Sequence, residues 1–462
     1  MLGRFVAVML AALQLVSITD AAEPKTQASG QTAGQTWSIA QTWEIDDVPA
    51  SFRVGFCLLT NGTNQYVAYY NEDHQMVVAC RRLDENQWDR VVLPSKVGWD
   101  SHNYITMAVD DRGNLHVSGN MHAVPLIYFR TDVPGQIQTL RSAAMTGEDE
   151  DRCTYPRFLQ DANGNLLYTY RSGGSGNGRR LYNRFDSETG RWHRFLDVPL
   201  FDGLGQCNAY PIGPDQGPDG HFHVSWVWRD TPDCATNHDL SYARSVDLKH
   251  WETAHGRPLR LPLTPDQTAA VVDPVPSGGG IINSGIRMTF DRGNQPLLAY
   301  HKRDSNGRMQ AYVATPHKDR WLSHAITDWD EPILFAGRGS MPFIGIRVST
   351  PKVVDEKSIV VGFQHQDHGS GRIVLDAETL RPVDRKVTIE REFPPTLSRV
   401  RIAFPGMQHR LATDIGASPN ADERYVLRWE TLGSHHDRRP PDPLPPPSKL
   451  QLVRLVRAAT RD

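Results

Sequence analysis

Apolar and polar residues alternate along this chain in short runs, broken by turns rich in Gly, Asp and Asn. Tyr104–Val109 and Leu115–Ser118 show the pattern on either side of the turn Asp110-Asp111-Arg112-Gly113-Asn114. A period of two places one face of each run in a core and predicts a β-hairpin. The motif recurs. An Asp, a short turn with Gly and an alternating run appear at Asp111–Val117, Asp161–Tyr168, Asp219–Trp226 and Asp291–Tyr300. Gly supplies the positive φ that a tight hairpin needs. A second series lies out of phase, with Trp88, Trp192, Trp251 and Trp321 each following a polar turn. Two such series predict four strands per unit, an inner hairpin followed by an outer one.

The units fall near 53–95, 103–142, 153–197, 208–257, 284–328 and 342–390. A last unit would combine 395–432 with the strand-like residues near 37–46. This predicts an all-β protein, a seven-bladed β-propeller over 37–432. No Pro/Gly/Ser linker divides the middle, which argues against two packed β domains. Residues 433–462 hold the run PPDPLPPP, read as a polyproline-like arm, and a final strand Lys449–Val456 expected to pack outside the blades. At the N-terminus, Arg4, the apolar Phe5–Ile18 and the small-residue site Thr19-Asp20-Ala21 predict a signal peptide over 1–21. A polar, disordered leader is expected over 22–36. The mature protein is therefore expected to be secreted or periplasmic.

Charge changes the picture by exclusion. Lys and Arg number 50 against 53 Asp and Glu, a formal net charge of −3. That balance offers no footprint for nucleic acid or a membrane surface, and a monomer is expected. The five cysteines match no zinc spacing. Export permits disulfides, and Cys207 with Cys234 is the expected loop pair. G-x-S-x-G, H-E-x-x-H and Walker motifs are absent.

The chemistry gathers at strand ends, since loops at the mouth of a propeller build its sites. His102 precedes one strand of a hairpin and His122 follows the other, so antiparallel pairing brings them to one end of one blade. Asn103 and Asn120 flank them. The next unit supplies Tyr168, Tyr170, Arg171 and Arg184 around the run Ser172–Gly178, read as a hairpin loop close to a ligand. A Tyr beside Arg can have its phenol pKa lowered, which makes it a candidate base. His221 and His223 share a strand face that suits a metal, but no third ligand is specified. Arg229, His238, Tyr242 and Lys302 are candidate substrate contacts. No cofactor is required; a structural calcium or zinc ion stays open.

The stretches WDSHNYITMAVDDRGNLHVSGNMHAVPLIYFR, TYRSGGSGNGRRLYNRFD, HFHVSWVWRD and NHDLSYARSVDLKHW resemble the BNR-repeat propellers. That group includes ulvan lyases and rhamnosyl-glucuronate lyases, with α-L-rhamnosidases on a related branch. Ser245–Trp251 is similar to the group's Asp-box turn, without its Gly. The resemblance implies eliminative cleavage of a uronate-containing polysaccharide or oligosaccharide. It places the catalytic roles on His102, His122, Tyr168 or Tyr170, and Arg184. The rhamnosidase branch implies hydrolysis instead, through a histidine where this chain has Ser51-Phe52-Arg53. A glycan-binding propeller without catalysis is the third reading.

Overall fold

A computed structural model of the chain describes residues 37–389 and 391–457. The expected signal peptide and leader lie outside the described residues. The described residues form an all-β fold, with 3-10 turns as their only helical elements. They make seven antiparallel sheets. Six follow one another along the chain, over 57–96, 105–142, 153–194, 208–259, 287–325 and 346–376. These are the six units read from the turn repeats.

Each sheet has an opening strand, Cys57–Asn61, Ile105–Val109, Cys153–Gln160, Asn208–Gln216, Arg287–Phe290, Ile346–Val348 or Gln408–Thr413, and in all but the third sheet it lies at the edge. The second strand is the most buried. Every residue of Phe222–Arg229 is covered, whereas Asp89–Lys96, at the far edge of the first sheet, alternates between exposed and buried. A strand covered on both faces lies between packed sheets, and an outer strand keeps one wet face. The core clusters follow from this. Leu167 packs with Trp226, Tyr242 with Leu298, and Leu297 with Ile359, each pair drawn from consecutive sheets. Leu58 of the first sheet packs with Leu427 of the last.

The turns use the expected chemistry with one change. Gly113 and Gly164 take φ of 85° and 81°, and Asp110 Oδ1 accepts the Arg112 and Asn114 N–H groups. In the fifth sheet the positive φ falls on Asn294 instead of Gly293. Asn tolerates this conformation because its short polar side chain bonds locally.

Two expectations are corrected. The final strand does not pack outside. Ser448–Arg457 runs inside the last sheet, between Glu423–Thr431 and Trp37–Val48. Its alternating Leu450, Leu452 and Leu455 give it two buried faces, which an outer strap would not need. The five cysteines, Cys207 and Cys234 among them, are free thiols. Cys207 sits in the apolar cluster between the third and fourth sheets, and Cys234 opens a 3-10 turn.

Leu452 is fully buried beside Leu450 and Leu427. Leu452→Ala should cost about 2–5 kcal/mol by cavity formation. Urea unfolding measures this, and a loss below about 0.5 kcal/mol, the range of surface substitutions, would contradict the interior placement.

Candidate active site

The paired histidines meet. The rings of His102 and His122 lie 4.4 Å apart, centroid to centroid. The route differs from a simple hairpin end. His122 begins the short strand His122–Val124, which adds to the free edge of the third sheet by pairing with Cys153 and Thr154. Asp100 joins the two rings. Its Oδ1 lies 2.8 Å from His102 Nδ1 and its Oδ2 2.5 Å from His122 Nδ1. Asp437 Oδ2 lies 3.2 Å from His102 Nδ1 as well. Burial alone would lower the His102 pKa, but the Asp100 and Asp437 carboxylates outweigh it and raise it to about 9. His102 is therefore a cation at neutral pH. The reciprocal bonds hold the Asp100 carboxyl far below the usual carboxylate range despite its burial.

Two phenols complete the site, and neither was among the sequence candidates. Tyr155 has φ of 57°, a left-handed conformation rare for a bulky side chain. The register of its strand breaks between Thr154 and Arg157, and such a bulge re-aims a side chain. Its ring lies 5.8 Å from that of His102 and 6.1 Å from that of Tyr210. Tyr210 stands on the opening strand of the fourth sheet, with its hydroxyl 2.6 Å from Ser175 Oγ. Burial would raise its pKa, but the Arg171 and Arg229 guanidiniums and the Ser175 hydrogen bond outweigh it and pull it below the usual phenol value. Burial pushes Tyr155 the other way, well above that value.

Arg171 lies over the Tyr155 ring at 4.9 Å and Arg229 over the Tyr210 ring at 5.4 Å. Arg171 is 2% exposed and donates from Nη2 to Thr154 Oγ1. Its Nε and Nη1 have no acceptor among the described residues. A buried charge with idle donors is costly unless an anion comes to it. Arg229 is held instead by the carbonyls of Thr231, Pro232 and Asp233. The Gly-rich loop works as a wall. Ser175 reaches Tyr210, and a Cβ at Gly178 would collide with Asn208 Oδ1 and lie 2.7 Å from Arg171 Cδ.

His102, Tyr104, Tyr155, Tyr210, Arg180 and Arg229 line a cavity of about 650 Å³, and Arg171 stands over the Tyr155 ring outside that lining. No Asp or Glu lines it among the described residues, although the chain as a whole is slightly acidic. Its walls are therefore built for an anion.

Several sequence candidates lie elsewhere. Tyr168 is fully buried in the core between the second and third sheets, with its hydroxyl 2.8 Å from Ser118 Oγ. Tyr170 packs in the same core, and its hydroxyl accepts from Arg194. Burial pushes both phenols up, so neither is a base. Arg184 is exposed four residues along its strand from Arg180, about 13 Å away at the rise of a strand. Tyr242 is buried with its hydroxyl 2.5 Å from His223 Nδ1. His223 Nε2 in turn meets Asp219, so this His-x-His strand builds a core network and not a ligand pair. Lys302 is ion-paired with Asp273, and His238 sits between Asp230 and Asp239. Asn120 is spent on Ser95 and Lys96, and the Asn103 carbonyl accepts from Tyr70. Of the expected set, His102, His122, Arg171 and Arg229 come together.

Among the described residues, two groups carry metal-ligand atoms within 4.8 Å of one another: Asp100, His102, His122 and Asp437, and Glu331, His365 and His368. In the first, both carboxylates already engage imidazole nitrogens, which balances the charge without an ion. The second has the donor types of a zinc site. Its His365 Nδ1 accepts two backbone N–H groups, so that nitrogen is occupied.

The chain belongs to the BNR repeat-containing family, whose model matches residues 64–329. Among curated proteins it is 43% identical over 144 residues to a long-isoform ulvan lyase of Alteromonas sp. (strain LOR), covering 28% of this chain and 14% of that protein. It is 25% identical over 224 residues to another Alteromonas sp. long-isoform ulvan lyase, covering 38% of this chain and 22% of that protein. The match thus spans less than a quarter of the length of either relative. Among solved structures it resembles the polysaccharide lyase Uly1 with a TM-score of 0.57 at 13% identity, over 94% of both chains. It resembles a PL25 ulvan lyase bound to -[GlcA(1-4)Rha3S]- with a TM-score of 0.54 at 14% identity, over 88% of this chain and 94% of that one. These likenesses show a shared all-β fold.

Two outcomes test the site geometry. An NMR titration should give His102 a pKa near 9 in the wild type, and Asp437→Asn should lower it, because a carboxylate that favours the cation is lost. An unchanged value would break the proposed pairing. Gly178→Ala should displace the Arg171 side chain and raise the Tyr210 pKa, read by ultraviolet titration of the phenolate. A Tyr210 titration identical to the wild type would show that the loop does not position Arg171.

Proposed function

We propose that this protein is a polysaccharide lyase that cleaves a glycosidic bond at a uronic acid by β-elimination. The observation that carries the reading is Arg171, buried with two idle N–H donors beside two tyrosines whose phenols are pushed in opposite directions. Two titratable groups driven apart by their surroundings mark a base and an acid.

The chemistry follows from the uronate. Its C5 proton is weakly acidic while the carboxylate keeps its charge. Arg180, Arg229 and cationic His102 on the cavity wall meet that carboxylate, and Arg171 adds its charge from over the Tyr155 ring. Together they stabilise the enolate that forms when the proton leaves. Tyr210, whose proton is the more easily lost of the two phenols, acts as the base that takes the C5 proton. The C4–O bond breaks, a C4=C5 double bond forms, and Tyr155 gives its proton to the departing glycosidic oxygen. No water adds, so no carboxylate pair is needed. The acid-free wall of the cavity agrees with this. Asp100 and Asp437 stand behind the histidines and keep His102 charged.

The relatives and structural neighbours named above support ulvan, or a similar rhamnose and glucuronate chain, as the substrate. The seven sheets and the return of the last to the first support a seven-bladed propeller whose opening strands face the cavity. Ser51-Phe52-Arg53 stands where the hydrolase reading expected a stretch with a histidine, which favours elimination. Export through the 1–21 signal peptide belongs to the same proposal, and N-terminal sequencing of the mature protein checks it.

The test is direct. Purified protein should convert ulvan to products with the ultraviolet band of an unsaturated uronate. Arg171→Ala should lower kcat by about 10²–10³, the range for losing a charge-stabilising donor. Tyr210→Phe and Tyr155→Phe should each abolish turnover with the fold intact by circular dichroism. Reducing ends without the band would mean hydrolysis, and full activity in Arg171→Ala would remove the site. Activity should fall above about pH 9 as His102 loses its proton, and Asp437→Asn should move that limb to lower pH.

A further inference from the structure

The groups of the proposed reaction come from the second, third and fourth sheets and their loops. The same cavity is also lined by Arg287 of the fifth sheet, Arg347 of the sixth, Arg410 of the last, and Arg53 just ahead of the first. Three stand on the edge strands that open their sheets, so successive sheets deliver one guanidinium each. None has a carboxylate partner among the described residues. Arg287 donates from Nη1 to the Ser284 and Ile286 carbonyls, and Arg347 lies over the Phe343 ring at 5.8 Å. The buried Arg410 Nε has no acceptor. Arg53 and Arg347 are open to water in the cavity, and the other two are half-buried.

The four guanidiniums feel one another. Burial and the Arg53 and Arg347 charges pull Arg410 down to about 10. Arg287 is lowered by burial and by the same two arginines, and Arg53 by burial and Arg347. All remain cations at neutral pH. Arg180, also on the cavity wall, has an Nε without an acceptor, but two other arginines of the cavity are held. Arg157 is ion-paired with Asp215, and Arg229 is tied to a backbone loop. Four like charges held together by rigid strands repel, and nothing in the fold neutralises them. Stability alone would have placed a carboxylate or an apolar residue there. Guanidiniums, with planar forks of donors, are suited to oxyanions.

We propose that Arg53, Arg287, Arg347 and Arg410 form a second anion subsite, which takes an oxyanion group carried by a sugar unit other than the one being cleaved. The group is a sulfate ester or a further carboxylate of the same chain. This rests on the glycan reading above for the identity of the ligand, but not for the existence of the anion site. The cavity would then read charge spacing along a polyanion: one carboxylate beside His102, Arg180 and Arg229, and a second negative group at the four arginines. A neutral or sparsely charged chain would engage only the first.

The test compares wild type with Arg347→Gln/Arg410→Gln. The double substitution removes repulsion, so its melting temperature in low salt should not fall below that of the wild type. Melting in sodium sulfate is compared with sodium chloride at equal ionic strength, which separates capture from screening and from the general effect of sulfate on folded proteins. The wild type should gain more from sulfate than the variant does. On ulvan the variant should show KM raised roughly tenfold, the loss of one charge-assisted contact, with a weaker dependence on salt. Desulfated ulvan identifies the source: a KM gap that closes means a sulfate ester, and one that persists means a carboxylate. Equal sulfate responses and equal KM values would overturn the subsite while leaving the lyase reading intact. A sulfate response confined to the wild type, with no cleavage by either protein, would support the anion site and overturn the lyase reading.

Discussion

Uncompensated positive charge at the cavity is the constraint on which the rest depends. Arg171 is buried with two donors idle, and each idle donor costs about 1–3 kcal/mol, more where the group is charged. A soft scaffold would relieve that cost by turning the side chain to water or to a carbonyl. Here the side chain is pinned. Its strand, Leu166–Ser172, is buried at every position, Thr154 takes one donor, and the backbone of Gly178 closes against its methylenes. The stack of sheets supplies the rigidity that lets the site stay unsatisfied.

The same rigidity shifts like groups in opposite directions. Tyr155 and Tyr210 are neighbours of like chemistry in one cavity. Tyr210 is near two guanidiniums and a hydroxyl that outweigh its burial, whereas for Tyr155 burial prevails. His102 differs from both, because two carboxylates on its Nδ1 side keep it charged. One of these, Asp437, comes from the segment beyond the last sheet's second strand. It also accepts the backbone N–H groups of Ser101 and Ser340, so that segment ties the second sheet's entry loop to the 339–341 loop.

Much of the fold was legible in the sequence because a period of two and a turn chemistry repeat with the same physical cause in each sheet. The second to fifth sheets each carry one of the four Asp/Gly turns. The final strand was misplaced because its alternation tells burial but not which neighbour supplies the hydrogen bonds. The site was legible only in part. His102 and His122 could be paired by topology, and the idea of a phenol lowered by arginine was sound. It was attached to Tyr168 and Tyr170, which sit mid-strand where alternation sends side chains into the core. The two phenols on the cavity wall beside His102 stand where alternation fails. Tyr155-Pro156 and Tyr210-Pro211 repeat one dipeptide on the opening strands of consecutive sheets. Pro lacks an N–H and belongs on edge strands, so that repeat was the available signal. Asp437 gave none, since it acts across more than three hundred residues of sequence.

Arg184 and Arg171 show why residue type and spacing do not assign a role by themselves. Both are arginines beside tyrosines in the same sheet. Arg184 lies where its guanidinium meets water, which screens it and makes it an ordinary surface charge. Arg171 lies where water is excluded, and its field falls on Tyr155 and Tyr210 unscreened. In bulk water the attraction of a guanidinium for a carboxylate about 4 Å away is about 1 kcal/mol, and it is several-fold larger at the effective dielectric of a protein surface. Stabilising an enolate needs the second condition. The choice between the two arginines is therefore made by the packing of Gly178 and Thr154 around one of them, and the chemistry of the site is a property of the sheets that enclose it.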